Sequence, residues 1–122
     1  MKKITLLAAG LLLSFGMNAQ IFYDGFEEYD DFAIDNIGDW TQLDLDGGTT
    51  FGSVDHDFLN EGYIGTAIIF NPSQATPDAV GTGYDTFAGD KGLYFFASTT
   101  PPNDNWFISP MITLGLNSTL SL

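Results

Sequence analysis

The side chains best able to do chemistry in this chain are carboxylates. Sixteen Asp and Glu stand against three Lys, with one His, no Arg and no Cys. Calcium takes roughly six to eight oxygen ligands from carboxylates, amides and carbonyls. Asp44-x-Asp46-Gly47 has the local form such a site needs: short carboxylates at alternating positions, with a glycine for the turn. It follows a strand-like run and lacks the further Asp and distal Glu of an EF-hand loop, which excludes that motif. Taken singly, each acid is better read as a solvated surface group or a cap on a turn than as a ligand. His56 lies between Asp55 and Asp57. A Ser-His-Asp triad needs a nucleophile on a strained turn beside an oxyanion hole. Ser53 and Ser73 sit in ordinary loop contexts, and there is no Gly-x-Ser-x-Gly. His56 therefore reads as a surface loop residue, and the chain as non-catalytic. One His without Cys also gives no recognisable zinc spacing. A glycosidase-like carboxylate pair is inevitable among so many acids, so composition says nothing for or against it. Exposed aromatic rings can stack on sugars. Tyr84, in the loop-like stretch 81–85, and Tyr63 are the candidate ligand contacts, whereas Trp40 and Trp106 stand at strand starts and read as core.

Charge excludes some partners. Beyond residue 20 the chain holds all sixteen acids and a single base, Lys91, a formal charge of −15. Phosphate binding needs clustered Lys and Arg, so nucleic acid is not expected as a partner, nor is an anionic lipid surface. The lack of Cys excludes a disulfide scaffold and a thiol nucleophile.

These side chains must be positioned by a mature domain that begins after a targeting segment. Lys2 and Lys3 precede an apolar run over residues 4–17, and Ala19 offers a small residue at a cleavage position. This is the layout of a signal peptide over residues 1–20, and the run is shorter than the ~20 apolar residues of a membrane span. The expected location is secreted or cell surface, with no membrane span after cleavage. Residues 21–122 read as one all-β domain. Twelve glycines and five prolines after residue 20 interrupt every window long enough for a helix. Strand-like runs cover residues 21–23, 40–45, 62–70, 92–98 and 106–114. In the last run Trp106, Ile108, Ile112 and Leu114 share a face at period two, and Pro110 calls for an edge or a bulge. Residues 28–39 are acidic, with room for one short helical turn. Residues 117–122 begin a further alternating run, and Asn117-Ser118-Thr119 fits a glycosylation sequon that a bacterial-looking export signal makes idle.

Three stretches carry a resemblance. Gly25-Phe26-Glu27 comes first, then Trp40 with Asp44-x-Asp46-Gly47, then Asp104-Asn105-Trp106-Phe107-Ile108-Ser109-Pro110-Met111-Ile112. In that order they resemble the choice-of-anchor J domains and the related cleaved-adhesin domains of exported Bacteroidetes proteins. The resemblance covers about residues 21–115, the front part of such a domain. It implies a jelly-roll-like β-sandwich, incomplete here, since about five strands and the start of another fall short of the roughly eight of a jelly roll. It also implies structural calcium, with Asp24, Glu27, Asp44, Asp46 and Asp104 as ligands. The first strand and the Trp106 strand would then be neighbours and bring Glu27 to Asp104. The function implied is a non-catalytic, calcium-stabilised adhesion or binding module for a glycan or an extracellular protein. The alternative is an accessory domain of a secreted hydrolase whose catalytic part lies elsewhere.

Overall fold

The structure, a computed structural model, describes residues 22–113, and residues Asp24–Ile112 form one compact unit. The signal-like segment, Leu114 and the run 117–122 with its sequon lie outside the described residues. The fold is all-β. Among the described residues four short strands, β1 (Thr41–Asp44), β2 (Ile68–Phe70), β3 (Gly92–Tyr94) and β4 (Asn105–Ile108), are accompanied by a single 3-10 turn at Pro72–Gln74. No helix among the described residues is long and apolar enough to cross a membrane.

The strands form two antiparallel pairs. β1 pairs with β4, placing Leu43 opposite Trp106 and Thr41 opposite Ile108, and β2 pairs with β3, placing Ile69 opposite Leu93. The stretch after β1 knits the pairs together. Thr50 N–H donates to Tyr63 O (2.8 Å), Phe51 N–H to Ala97 O (2.8 Å), and Thr99 N–H to Thr49 O (2.7 Å).

The core forms around β2, whose three residues are fully enclosed. Burying side chains of this size contributes about 1.5–3 kcal/mol each. Phe70 is the hub, with the rings of Phe58, Tyr94, Phe32 and Tyr84 centred 5.0–5.4 Å from its own. Phe32 reaches this cluster from the acidic stretch, which is a series of turns with no helix. Its backbone has a φ of +61°, costly for a bulky residue. The burial of its ring and the 2.7 Å bond from its N–H to Ile69 O offset that cost.

The structure departs from the sequence reading in places. The expected strand at 62–70 is broken, because Gly62 and Gly65 hold positive φ (+72° and +148°). Only Ile64, through an isolated bridge to Thr49, and β2 pair there. Phe22 and Tyr23 lie in no strand. β4 ends at Ile108, so Pro110 stands beyond the pairing where its missing N–H costs nothing.

Thr66 is buried, and its hydroxyl has no hydrogen-bond partner among the described residues. An enclosed, unpaired hydroxyl destabilises a fold. Thr66→Val keeps the shape and removes the polar atom. It is expected to raise unfolding stability by about 1 kcal/mol in urea melts, and a loss of stability would contradict the arrangement.

Candidate functional site

The five acids proposed as calcium ligands fall in separate places. Asp24 closes the turn around Gly25. Its Oδ1 accepts the Phe26 N–H (2.9 Å), and its Oδ2 accepts the Tyr29 hydroxyl (2.6 Å) and the Trp40 indole N–H (2.7 Å). Glu27 Oε1 accepts the N–H groups of Asp90 and Lys91, at 2.9 and 3.1 Å, and so holds the loop that leads into β3. Glu27 and Asp104 are not on neighbouring strands. Gly25-Phe26-Glu27 is a turn, and the strand beside β4 is β1.

Asp44, Asp46 and Asp104 all stand at the end of the β1–β4 ribbon, where Asp46 is bonded to each of the other two and the pairing puts Asp44 and Asp104 on opposite faces. Asp44 Oδ1 accepts from Asp46 N–H (3.2 Å) and Gly47 N–H (2.8 Å). Asp46 joins three segments: its Oδ1 accepts from Gly48 N–H (2.8 Å) and the Ser98 hydroxyl (2.9 Å), and its Oδ2 from Asp104 N–H (2.8 Å). A side chain at Gly48 would run into Ser98 Oγ and the Asp46 carboxylate, which explains a glycine there. Asp104 Oδ1 accepts the Trp106 indole N–H at 2.9 Å. Among the described residues no group of three or more Asp, Glu or His side chains is arranged to hold a metal ion. The Asp-Gly-Gly motif works as a turn whose amides are satisfied by carboxylates.

Electrostatics agree with that role. Burial alone would raise the Asp24 carboxyl, but the bonds from Tyr29, Trp40 and Phe26 outweigh it and hold it below the ordinary 3.8. The Asp104 and Gly48 amides hold Asp46 low as well. Asp31 is lowered too: burial opposes, while Asn71 and Lys91 prevail. Lys91 Nζ lies 3.1 Å from Asp31 Oδ1 and also donates to Tyr29 O. The Tyr29 phenol is pushed up to about 12, chiefly because its hydroxyl donates to Asp24.

Four side chains sit differently from the sequence reading. His56 is buried. Its Nδ1 lies 2.8 Å from Pro77 O, and its ring meets the edge of Tyr84 at 5.8 Å. Two flanking acids made it look like a surface residue, but only its neighbours are solvated. Tyr63 is enclosed in the core, where burial pushes its phenol up to about 12. Tyr84 is half-buried and packs against Phe70. Neither ring is presented as an open stacking platform.

Trp106 is the fourth. It reads as core from sequence and is 57 % exposed. Its strand has two apolar phases, Trp106/Ile108 and Phe107, and period two alone cannot choose between them. Tertiary packing chooses. Phe107 stacks on Trp40 at 4.7 Å, and Trp40 packs on Phe26 at 5.9 Å. Phe107 therefore turns inward, and Leu43, Trp106 and Ile108 turn outward together. A separate open cleft of about 520 Å³ lies between the 28–36 stretch and Leu59–Asn60, with Glu28, Asp30, Asp31 and Asp35 in its walls.

Acid should loosen the unit. The carboxyls of Asp24, Asp31 and Asp46 are lowered on folding, so their contribution is complete above the ordinary value of 3.8 and is lost as pH falls through their folded values. Melting temperature is expected to fall steeply below about pH 4, and Asp24→Asn to flatten part of that slope. A melting temperature unchanged from pH 6 to 2 would contradict these bonds.

Comparison with protein-family models, curated proteins and solved structures gives no match to this chain.

Proposed function

We propose that this chain is a non-catalytic binding module of an exported protein, of the adhesion type, and that it engages its target through the outer face of the β1–β4 ribbon. The observation that carries this reading is the exposure of Leu43 (42 %), Trp106 (57 %) and Ile108 (43 %) side by side on one ordered sheet face. Scattered apolar side chains on a surface are ordinary, but a contiguous set on a fixed framework marks a contact surface. A large ring beside two aliphatic side chains is also the composition of an interface centre. The target class is a glycan or an extracellular protein.

The other parts of the reading rest on separate supports. A jelly-roll-like sandwich is the architecture we favour, because both pairs are antiparallel and the chain after β1 crosses between them. Export rests on Lys2, Lys3 and the apolar run before Ala19. Calcium enters as a stabiliser through charge density, not through a preassembled ligand set. A formal charge of −15 beyond residue 20 repels itself, and a divalent ion bound by the folded form alone would relieve that.

An array of glycans and matrix proteins probed with the full chain, in calcium and in chelator, tests the proposal. Binding is expected, weakened about tenfold or more by Trp106→Ser, and the melting temperature is expected to be higher in calcium. A blank array, or binding indifferent to Trp106→Ser, would overturn the binding face. Equal melting temperatures would remove calcium.

A further inference from the structure

The outer face has an order that says more about its target. Side chains on one face of an antiparallel pair stand opposite one another in register. Here β1 contributes Thr41 and Leu43, opposite Ile108 and Trp106 of β4. The pairing extends one step further, because Leu45 N–H donates to Asp104 O at 2.9 Å. The face is thus a ladder of three rungs: Thr41/Ile108, Leu43/Trp106 and Leu45/Asp104. At about 3.4 Å per residue it runs ~14 Å. Its middle is apolar, and its only charge is at one end.

That end is specific. The Trp106 indole N–H donates to Asp104 Oδ1, which fixes the ring beside the carboxylate. Asp104 is itself exposed, next to an exposed indole. A cation placed there meets both the negative ring face and the carboxylate, two attractions that Lys and Arg satisfy at once. Asp46, bonded to the Asp104 amide, adds a second negative charge nearby.

Resting on the binding face of the preceding section, we propose that the outer face of the β1–β4 ribbon takes an extended polypeptide segment in which Lys or Arg accompanies apolar side chains: apolar groups on Leu43, Trp106 and Ile108, a cation on Trp106 and Asp104. Charge complementarity selects this occupant. A second copy of the chain brings its own charge of −15 beyond residue 20 and an identical acid end, so its approach is repelled. A sugar stacks on one ring but needs hydrogen-bonding groups around it, and the rungs flanking Trp106 offer only aliphatic side chains, Thr41 and the one acid.

The probe is a synthetic heptapeptide of alternating Lys and Val, titrated into the full chain and followed by the backbone amide NMR signals of β1 and β4. Saturable binding is expected. Trp106→Ser and Asp104→Asn should each weaken it about tenfold, and Val54→Ser, at an exposed apolar position elsewhere, should leave it unchanged. Asp104→Asn keeps an acceptor for the indole N–H and removes only the charge. Equal binding of a Glu–Val peptide overturns the role of the cation. Equal binding of a Lys–Ser peptide reduces the effect to general attraction to an acidic protein and overturns the apolar face. Self-association abolished by Trp106→Ser assigns the face to a second copy and overturns the occupant. A glycan or matrix protein that binds through Trp106 while the Lys–Val peptide does not bind overturns this inference alone. Indifference to Trp106→Ser with every probe overturns the binding face as well.

Discussion

The bond from the Trp40 indole N–H to Asp24 governs which side of the β1–β4 ribbon faces inward. It draws Trp40 against the turn at Gly25-Phe26-Glu27, where Phe26 meets it, and leaves the other side of the indole for Phe107. Phe107 can stack there only if its neighbours Trp106 and Ile108 point away. β1 is phased the same way from its own side. Gln42 reaches inward, its Nε2 donating to Ile34 O and its Oε1 accepting from Ala67 N–H, so Leu43 points out. One carboxylate thus sets the direction of a sheet face 16 residues and more away in sequence.

The same economy runs through the molecule. With one base for sixteen acids beyond residue 20, the carboxylates cannot all find cations. Several find N–H groups instead. Asp24, Glu27, Asp44 and Asp46 each accept from main-chain amides, and Asp24 and Asp104 each accept an indole. Short Asp side chains beside glycines suit this, because the carboxylate can reach amides two or three residues along. A chain without disulfides thereby fixes its long turns. The local pattern that suits calcium is the pattern that suits a carboxylate-closed turn, and the two differ only in where the oxygens point.

That ambiguity marks the limit of what the sequence could show. The all-β class was legible, since glycine and proline exclude helices and the apolar runs are β-branched or aromatic. The strands at Thr41, Leu93 and Trp106 were legible as runs, though each proved shorter than its apolar pattern. Pairing ends where a positive-φ glycine or a side-chain contact takes over the backbone, as at Gly65, and no one-dimensional period records that. The phase of β4 was not legible, because Phe107 and Trp106 are both large and apolar. His56 was misread because flanking acids describe the surface around a loop and not the ring that tucks beneath it. The grouping of Asp24, Glu27, Asp44, Asp46 and Asp104 came from the resemblance and not from spacing. That Glu27 bonds a loop more than 60 residues away was not legible in either.

The account thus depends on two tryptophans in opposite settings within one ribbon: Trp40 held inward by Asp24, and Trp106 held outward by Asp104. Solvent paramagnetic relaxation of the indole ring protons, measured on the unmodified chain with a soluble gadolinium chelate, reads this directly. The ring protons of Trp106 should broaden several-fold faster than those of Trp40. Equal broadening of the two rings, or a protected Trp106, would show that the ribbon presents its other face and would end the account.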